Sequence, residues 1–125
     1  MIAVDSSSLI AYLAGDVGDD IRLISEAIVR RDLHLPPPVV TEMFSRPRGA
    51  KEIAYIMQTA ALLPMDQGVW ERAGRSRQTL LSNRRTAALA DALIAQACID
   101  LDIPLITRDA DFRHFAQWCG LKLAV

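Results

Sequence analysis

The chain has 125 residues, of which 51% are hydrophobic, and this size predicts one compact domain, residues 1–125, with a sizeable core. Its net charge of −1 excludes no class of partner, because binding depends on how the charges are distributed. The beginning of the chain shows no basic leader, and no later segment is long enough to span a bilayer, so we expect a cytoplasmic protein without a membrane partner.

The first half of the chain alternates short apolar runs with helical patterns. Residues 1–4 (MIAV) predict a buried strand that ends at Asp5, and Ser6 or Ser7 is expected to cap a helix that starts near Leu9. Four further elements are predicted from periodicity and from the prolines at their borders: helix 20–31, strand 33–35, helix 39–46 and helix 48–61.

The second half continues the alternation. It predicts a brief strand 62–63, an arginine-rich helix 67–82, a helix 87–101 capped by Thr86, a strand 103–107, a helix 110–118 and a closing strand 121–125. Helices that alternate with four or five short apolar strands predict an α/β domain with a mainly parallel sheet. The connections between its strands should be right-handed crossovers.

Four acidic residues are predicted to meet at one edge of this sheet. In an open parallel sheet the carboxyl ends of the strands share one edge, and the helices that follow the strands begin there. Asp5 directly follows the first strand, and Asp109 follows strand 103–107 by one residue. Glu42 and Asp91 lie in the first turns of helices that start at the same edge. The sequence therefore predicts an acidic pocket.

Asp91 is the hardest of these acids to explain as a surface residue, because the surrounding ALADALIAQA carries no other charge. Burial of an unpaired carboxylate costs several kcal/mol or shifts its pKa strongly, and a shared cation removes that conflict. Carboxylate ligands without a histidine or cysteine cluster favour Mg²⁺ or Mn²⁺ over zinc. Each acid alone also fits an ordinary role as a cap, a turn residue or an ion-pair partner, so it is their joint placement that predicts a metal site.

Arginines form two groups that are candidate phosphate contacts. The alternative interpretation of both groups is a solvated helix surface. The first group contains Arg46 and Arg48, with Lys51 beside them, and the second contains Arg72, Arg75, Arg77, Arg84 and Arg85.

Over nearly its whole length the chain resembles the PIN-domain nucleases, and specifically the small VapC-type toxins of toxin-antitoxin pairs. The resemblance is carried by MIAVDSSSLIAYL, by VVTEMFSR around Glu42, and above all by ALADALIAQACIDLDIPLITRDADF, in which Asp91 and Asp109 stand 18 residues apart. Residues 48–85 match only in their helical character, and Ser6 replaces the threonine that often follows the first aspartate.

This resemblance implies a three-layer α/β/α fold of the PIN type and an endoribonuclease that hydrolyses RNA phosphodiester bonds with Mg²⁺ or Mn²⁺. It also implies a homodimer that a cognate antitoxin holds inactive by inserting a basic segment into the acidic pocket. Carried over residue by residue, it makes the catalytic and metal-binding quartet Asp5, Glu42, Asp91 and Asp109. Ser6 or Thr107 would support the quartet by hydrogen bonds, and Asp111 would be either an auxiliary acid or, as we prefer, only the cap of the next helix.

Two other classes of function are alternatives to this interpretation. A catalytically silent PIN-like module would bind RNA or a protein without cleavage, and an assay of RNA breakdown with and without EDTA separates it from an enzyme. A phosphatase of the haloacid dehalogenase type would have a second aspartate where Ser7 stands, and a receiver domain would have an acidic pair near the first strand. Neither of the last two patterns is present.

Overall fold

The computed structural model describes residues 1–125, which form four strands and seven helices. The strands are β1 (Ile2–Val4), β2 (Leu33–Leu35), β3 (Ala61–Leu62) and β4 (Leu105–Ile106). The helices are α1 (Ser6–Leu13), α2 (Asp19–Arg30), α3 (Pro37–Phe44), α4 (Ala50–Gln58), α5 (Val69–Ser82), α6 (Leu89–Leu101) and α7 (Phe112–Cys119).

All four strands are parallel and lie in the order β3-β2-β1-β4. Helices α1 and α2 pack on each other, whereas α5, α6 and α7 form a second packed group. The arrangement is a three-layer α/β/α fold, which confirms the predicted fold class.

Strand β1 lies at the centre of the sheet, and its Ala3 and Val4 are fully buried. After β1 the chain crosses towards β2, whereas after β4 it passes to the opposite side of the sheet. The carboxyl ends of β1 and β4 therefore border a topological switch point, where α/β proteins commonly bind their ligands. Asp5 and Thr107, the residues that directly follow these two strands, therefore lie at this crevice.

The core contains side chains from the sheet and from helices of both packed groups. Phe112 and Phe115 of α7 are among its largest fully buried members, and their ring centroids are 6.1 Å apart. None of the helices has both the length and the apolar character needed to cross a membrane.

The predicted closing strand 121–125 is reduced to one parallel bridge between Leu105 and Leu123. Two hydrogen bonds hold this segment beside β4, from Leu105 N to the Lys122 carbonyl and from Ala124 N to the Leu105 carbonyl. Because β4 itself has only two residues, its free edge offers no room for a longer ladder. The sheet is therefore four-stranded.

The side-chain caps predicted for α1 and α6 are wrong. Asp5 caps α1, because its carboxylate accepts a hydrogen bond from Ser8 N at 3.3 Å, and the helix already begins at Ser6. Helix α6 begins after Ala88 without a side-chain cap, so Thr86 does not cap it. The sequence DSSS offers several residues able to cap a helix, and only the path of the backbone decides which of them does so.

Candidate metal centre

Asp5 is the most buried acid of the centre, with 3% of its surface exposed. Its carboxylate accepts hydrogen bonds from Thr107 Oγ1 at 2.8 Å, from Ser7 Oγ at 2.8 Å and from Ser8 N at 3.3 Å. Burial raises the pKa of Asp5, these hydrogen bonds partly offset that rise, and the nearby charge of Asp109 adds to it. The carboxylate that follows the first strand is thus held in one orientation by three hydrogen bonds.

Thr107 connects Asp5 to the loop that follows β4. While its hydroxyl donates to Asp5, the same oxygen accepts a hydrogen bond from Asp109 N at 3.0 Å. Asp109 Oδ1 in turn accepts from Asp111 N at 2.9 Å. Asp111 occupies the position before α7, but its side chain makes no capping hydrogen bond, so the preferred interpretation of Asp111 as only a helix cap is wrong.

Asp91 projects from the first turn of α6 towards the same loop. Carboxylate oxygens of Asp91, Asp109 and Asp111 all lie within 4.8 Å of one another. The pKa of Asp91 rises to about 6, first because burial removes water from its carboxylate and then because Asp109, Glu42, Asp5 and Asp111 are negative neighbours. The four predicted acids and Asp111 therefore share one electrostatic environment.

Glu42 approaches the centre from α3, on the side of α1. Ser6 Oγ donates a hydrogen bond to Glu42 Oε1 at 2.7 Å. Ser6, which the sequence offered both as a helix cap and as a support for the quartet, therefore contacts an acid of the centre. This bond joins the first turn of α1 to α3.

No basic side chain neutralises this cluster, because none of the ion pairs in the structure includes one of its five acids. Carboxylates so close together repel one another unless protons or cations bind between them. Their oxygen-only donor set, without histidine or cysteine, fits a hard divalent cation such as Mg²⁺ or Mn²⁺. The residues able to hold such an ion are Asp91, Asp109 and Asp111, with Asp5 and Glu42 beside them.

Ser7 belongs to the centre, although the sequence reasoning considered it only as a helix cap. Its hydroxyl donates to Asp5 Oδ1, lies 3.3 Å from Thr107 Oγ1 and accepts from Arg108 N at 3.2 Å. Ser7 therefore links the first turn of α1 to the loop after β4. The three consecutive serines after Asp5 were the available signal, but the sequence does not show which of them turns towards the second loop.

An ion pair between Arg108 and Asp20 was also missed. Arg108 Nε and Nη2 donate to the two carboxylate oxygens of Asp20 at 2.7 and 2.9 Å, and Ser8 Oγ donates to Asp20 Oδ2 at 2.9 Å. The hydrogen bonds from Arg108 hold the pKa of Asp20 down to about 2 despite its burial. The partners stand 88 residues apart, and no periodic pattern connects them.

This depressed pKa predicts an acid-sensitive contribution to stability. Since the pKa of Asp20 is 3.8 when unfolded and about 2 when folded, its stabilising effect should be complete above pH 4 and disappear as the pH falls through 2. The effect should amount to about 2 kcal/mol. Urea unfolding of the wild type and of Asp20→Asn between pH 7 and 2 measures it, and a constant stability difference over that range would contradict the assignment.

Arg46 and Arg48 lie beside a surface cleft of about 470 Å³ that also includes Ile10 and Leu13 of α1. Arg46 follows the end of α3 by two residues. Both arginines are exposed.

The second arginine group is divided between paired and unpaired side chains. Arg72 forms ion pairs with Asp66 and Asp100, Arg75 pairs with Glu71, and Arg77 Nε donates to the Ala87 carbonyl at 2.7 Å. Two members, Arg84 and Arg85, are exposed and belong to no ion pair.

The sequence model of the PIN domain family matches residues 2–117. Among curated proteins, none matches the chain significantly in sequence. Among solved structures, the fold resembles a chain in the crystal structure of VapBC2 from Rickettsia felis bound to a DNA fragment from their promoter, with a TM-score of 0.71 and 15% identity over 98% of this chain and 97% of that one. Since the family match extends over nearly the whole length, the chain belongs to the PIN domain family.

Proposed function

We propose that this PIN domain protein is an endoribonuclease that requires Mg²⁺ or Mn²⁺ and acts as the toxin of a toxin-antitoxin pair. The observation that carries the proposal is the cluster of five carboxylates without a neutralising basic side chain. Membership of a family whose domains are generally nucleases supports the same conclusion. A silent binding module would have no need to keep these charges together at a cost in stability.

In the proposed mechanism Asp5, Asp91 and Asp109 would hold the metal, and Glu42 would complete its shell through a water molecule. When bound there, a divalent cation would lower the pKa of a water molecule and stabilise the charge that develops on the phosphodiester. Glu42 Oε1 already accepts from Ser6, so its other oxygen, Oε2, remains to orient the attacking water and accept its proton. Thr107 and Ser7 keep the Asp5 carboxylate in one orientation.

The RNA backbone would be bound by arginines around this centre. We assign phosphate contacts first to Arg46, Arg48, Arg84 and Arg85, because these exposed side chains have no acidic partner. Arg75 and Arg77 would contribute less, since each already contacts another part of the chain. Binding that depends on such contacts weakens as the salt concentration rises.

The toxin role is supported by the structural likeness to a chain of a VapBC2 complex. A basic segment of a cognate antitoxin would complement the negative charge of the centre and block access of RNA. The resemblance to VapC-type toxins also leads us to propose that the active form is a homodimer.

Substitution of Asp5 by asparagine tests the proposed activity directly. The wild type should cleave single-stranded RNA in the presence of Mn²⁺ or Mg²⁺, excess EDTA should stop it, and Asp5→Asn should lower the rate at least about 100-fold because a ligand is lost. In cells, only the wild type should arrest growth. The matched control is Asp19→Asn, since the Asp19 side chain is exposed and lies outside the centre.

The possible outcomes separate the proposal from its alternative. RNA binding without breakdown, unchanged by EDTA, would identify a silent module. Equal breakdown by the wild type and Asp5→Asn would contradict the assigned centre.

A further inference from the structure

We propose that Arg108 is a positioning residue that fixes the loop 107–111 through Asp20 and thereby determines where Asp109 and Asp111 are placed. The consequence for catalysis rests on the proposed nuclease function, whereas the effect on the loop does not.

The contact between Arg108 and Asp20 fixes an orientation as well as a distance. Nε and Nη2 of Arg108 reach the two oxygens of one carboxylate at 2.7 and 2.9 Å, and Nη1 lies 3.3 Å from Asp16 Oδ2. A planar guanidinium bound through two parallel hydrogen bonds rotates far less than a single ammonium group would. Arg108 is therefore a rigid attachment point in a loop whose Ala110 and Asp111 are exposed.

Asp20 provides a fixed support for this attachment. It is 7% exposed, lies in the first turn of α2, and accepts a further hydrogen bond from the fully buried Ser8 of α1. The backbone beside it leaves no spare room, because a Cβ atom at Gly18 would lie 2.7 Å from Asp20 Oδ1 and 3.4 Å from Arg108 Nη2. The position of the guanidinium is thus set by both α1 and α2.

In the loop, the neighbours of Arg108 in sequence belong to the acid cluster or contact it. Arg108 stands between Thr107, whose hydroxyl donates to Asp5, and Asp109, whose amide donates back to that hydroxyl. The amide of Arg108 itself donates to Ser7 Oγ at 3.2 Å. A displacement of Arg108 would therefore move the backbone on which Asp109 and then Asp111 depend.

Arg108 is unsuited to binding RNA phosphate. Its guanidinium already faces the carboxylates of Asp16 and Asp20, so the local charge is negative even with the arginine present. In this respect it differs from Arg46, Arg48, Arg84 and Arg85, which have no acidic partner. Arg108 acts on the centre through the loop and not on the substrate.

Hydrogen exchange tests the structural part of this inference without any assay of activity. In Arg108→Ala and in Asp20→Ala, the amides of Asp109 and Asp111 should exchange about tenfold faster than in the wild type, since the loop opens locally. In Arg108→Lys these exchange rates should lie between those of the wild type and Arg108→Ala. In the variant with both alanine substitutions they should equal the rates of the single variants. Arg22→Ala is the matched control, because it removes an exposed ion pair with Glu26 from α2, the helix that also carries Asp20.

Kinetics tests the consequence for the centre. Arg108→Ala should lower kcat about 10-fold to 100-fold and leave KM for RNA within about twofold, because a supporting group and not a substrate contact is lost. A rise in KM with unchanged kcat would mean that Arg108 touches RNA and would overturn the inference. Unchanged exchange at Asp109 and Asp111 would overturn it as well. If the wild type fails to cleave RNA, the proposed function fails, but the exchange rates still decide the role of Arg108.

Discussion

Asp91→Asn should abolish metal-dependent RNA cleavage and at the same time stabilise the metal-free protein. The carboxylate is half buried among four other acids, and its pKa is raised to about 6. A raised pKa means that the folded protein loses stability as the pH rises from 3.8 through 6. Asparagine keeps the shape and removes the charge, so its benefit should be complete above pH 6 and absent below about pH 4.

The expected gain for Asp91→Asn is about 1 to 2 kcal/mol at pH 7.5, a value reduced for the solvent that still screens this half-exposed group. It corresponds to a rise in Tm of about 3 to 6 °C. Mn²⁺ should raise the Tm of the wild type, since a ligand that binds only the folded state stabilises it, and should have little effect on the variant. Thermal unfolding with and without Mn²⁺, together with RNA cleavage, measures both effects.

Asp100→Asn provides the matched control, because Asp100 lies on the same helix as Asp91 but in the opposite environment. It accepts hydrogen bonds from Arg72 and Gln96, so loss of its charge should lower the Tm and leave cleavage unchanged. Opposite changes in Tm for the two variants would show that only the Asp91 environment is repulsive. A lower Tm for Asp91→Asn would contradict the cluster described above.

Thr107→Val should weaken both the fold and the activity, although valine has nearly the same shape as threonine. The substitution removes the donor to Asp5 Oδ2 and the acceptor for Asp109 N. Loss of a hydrogen bond to a buried charged group should cost about 2 kcal/mol, and loss of support for two acids should reduce cleavage about 10-fold to 100-fold. Denaturant unfolding and single-turnover cleavage measure these changes.

Two other variants distinguish the role of this hydroxyl from general packing effects. Thr107→Ser keeps the hydroxyl and should retain most of the activity. Thr79→Val removes a threonine hydroxyl that donates to the Arg75 carbonyl on the exposed surface of α5, and it should change neither property appreciably. If Thr107→Val behaves like Thr79→Val, the bridge between Asp5 and Asp109 is unimportant.

The sheet and the approach of the acids were predictable because both depend on order along the chain. Short apolar runs separated by helical patterns predict parallel strands, and parallel strands bring their carboxyl ends to one edge. The positions of Asp5 and Asp109 just after such runs were therefore sufficient to place them close together. For Asp91, an isolated charge in an apolar helix was the decisive signal.

Other features depended on geometry that the sequence does not contain. The apolar residues Leu121 and Leu123 resemble a strand, but they find only a two-residue neighbour in β4 and form one bridge. The pairing of Arg108 with Asp20 depends on where α2 begins in space relative to the loop after β4. Several arginines and aspartates in the chain are equally suited by type, so residue identity alone does not select this pair.

The hydrogen bond between Thr107 and Asp5 joins residues 102 positions apart in the sequence. This separation determines when the centre can form during synthesis of the chain. Because translation proceeds from the N-terminus, a nascent chain carries Asp5 and Glu42 long before it contains strand β4. Until that strand emerges from the ribosome and docks beside β1, the two halves of the centre remain separate. The complete centre can therefore assemble only when synthesis of the chain is almost finished.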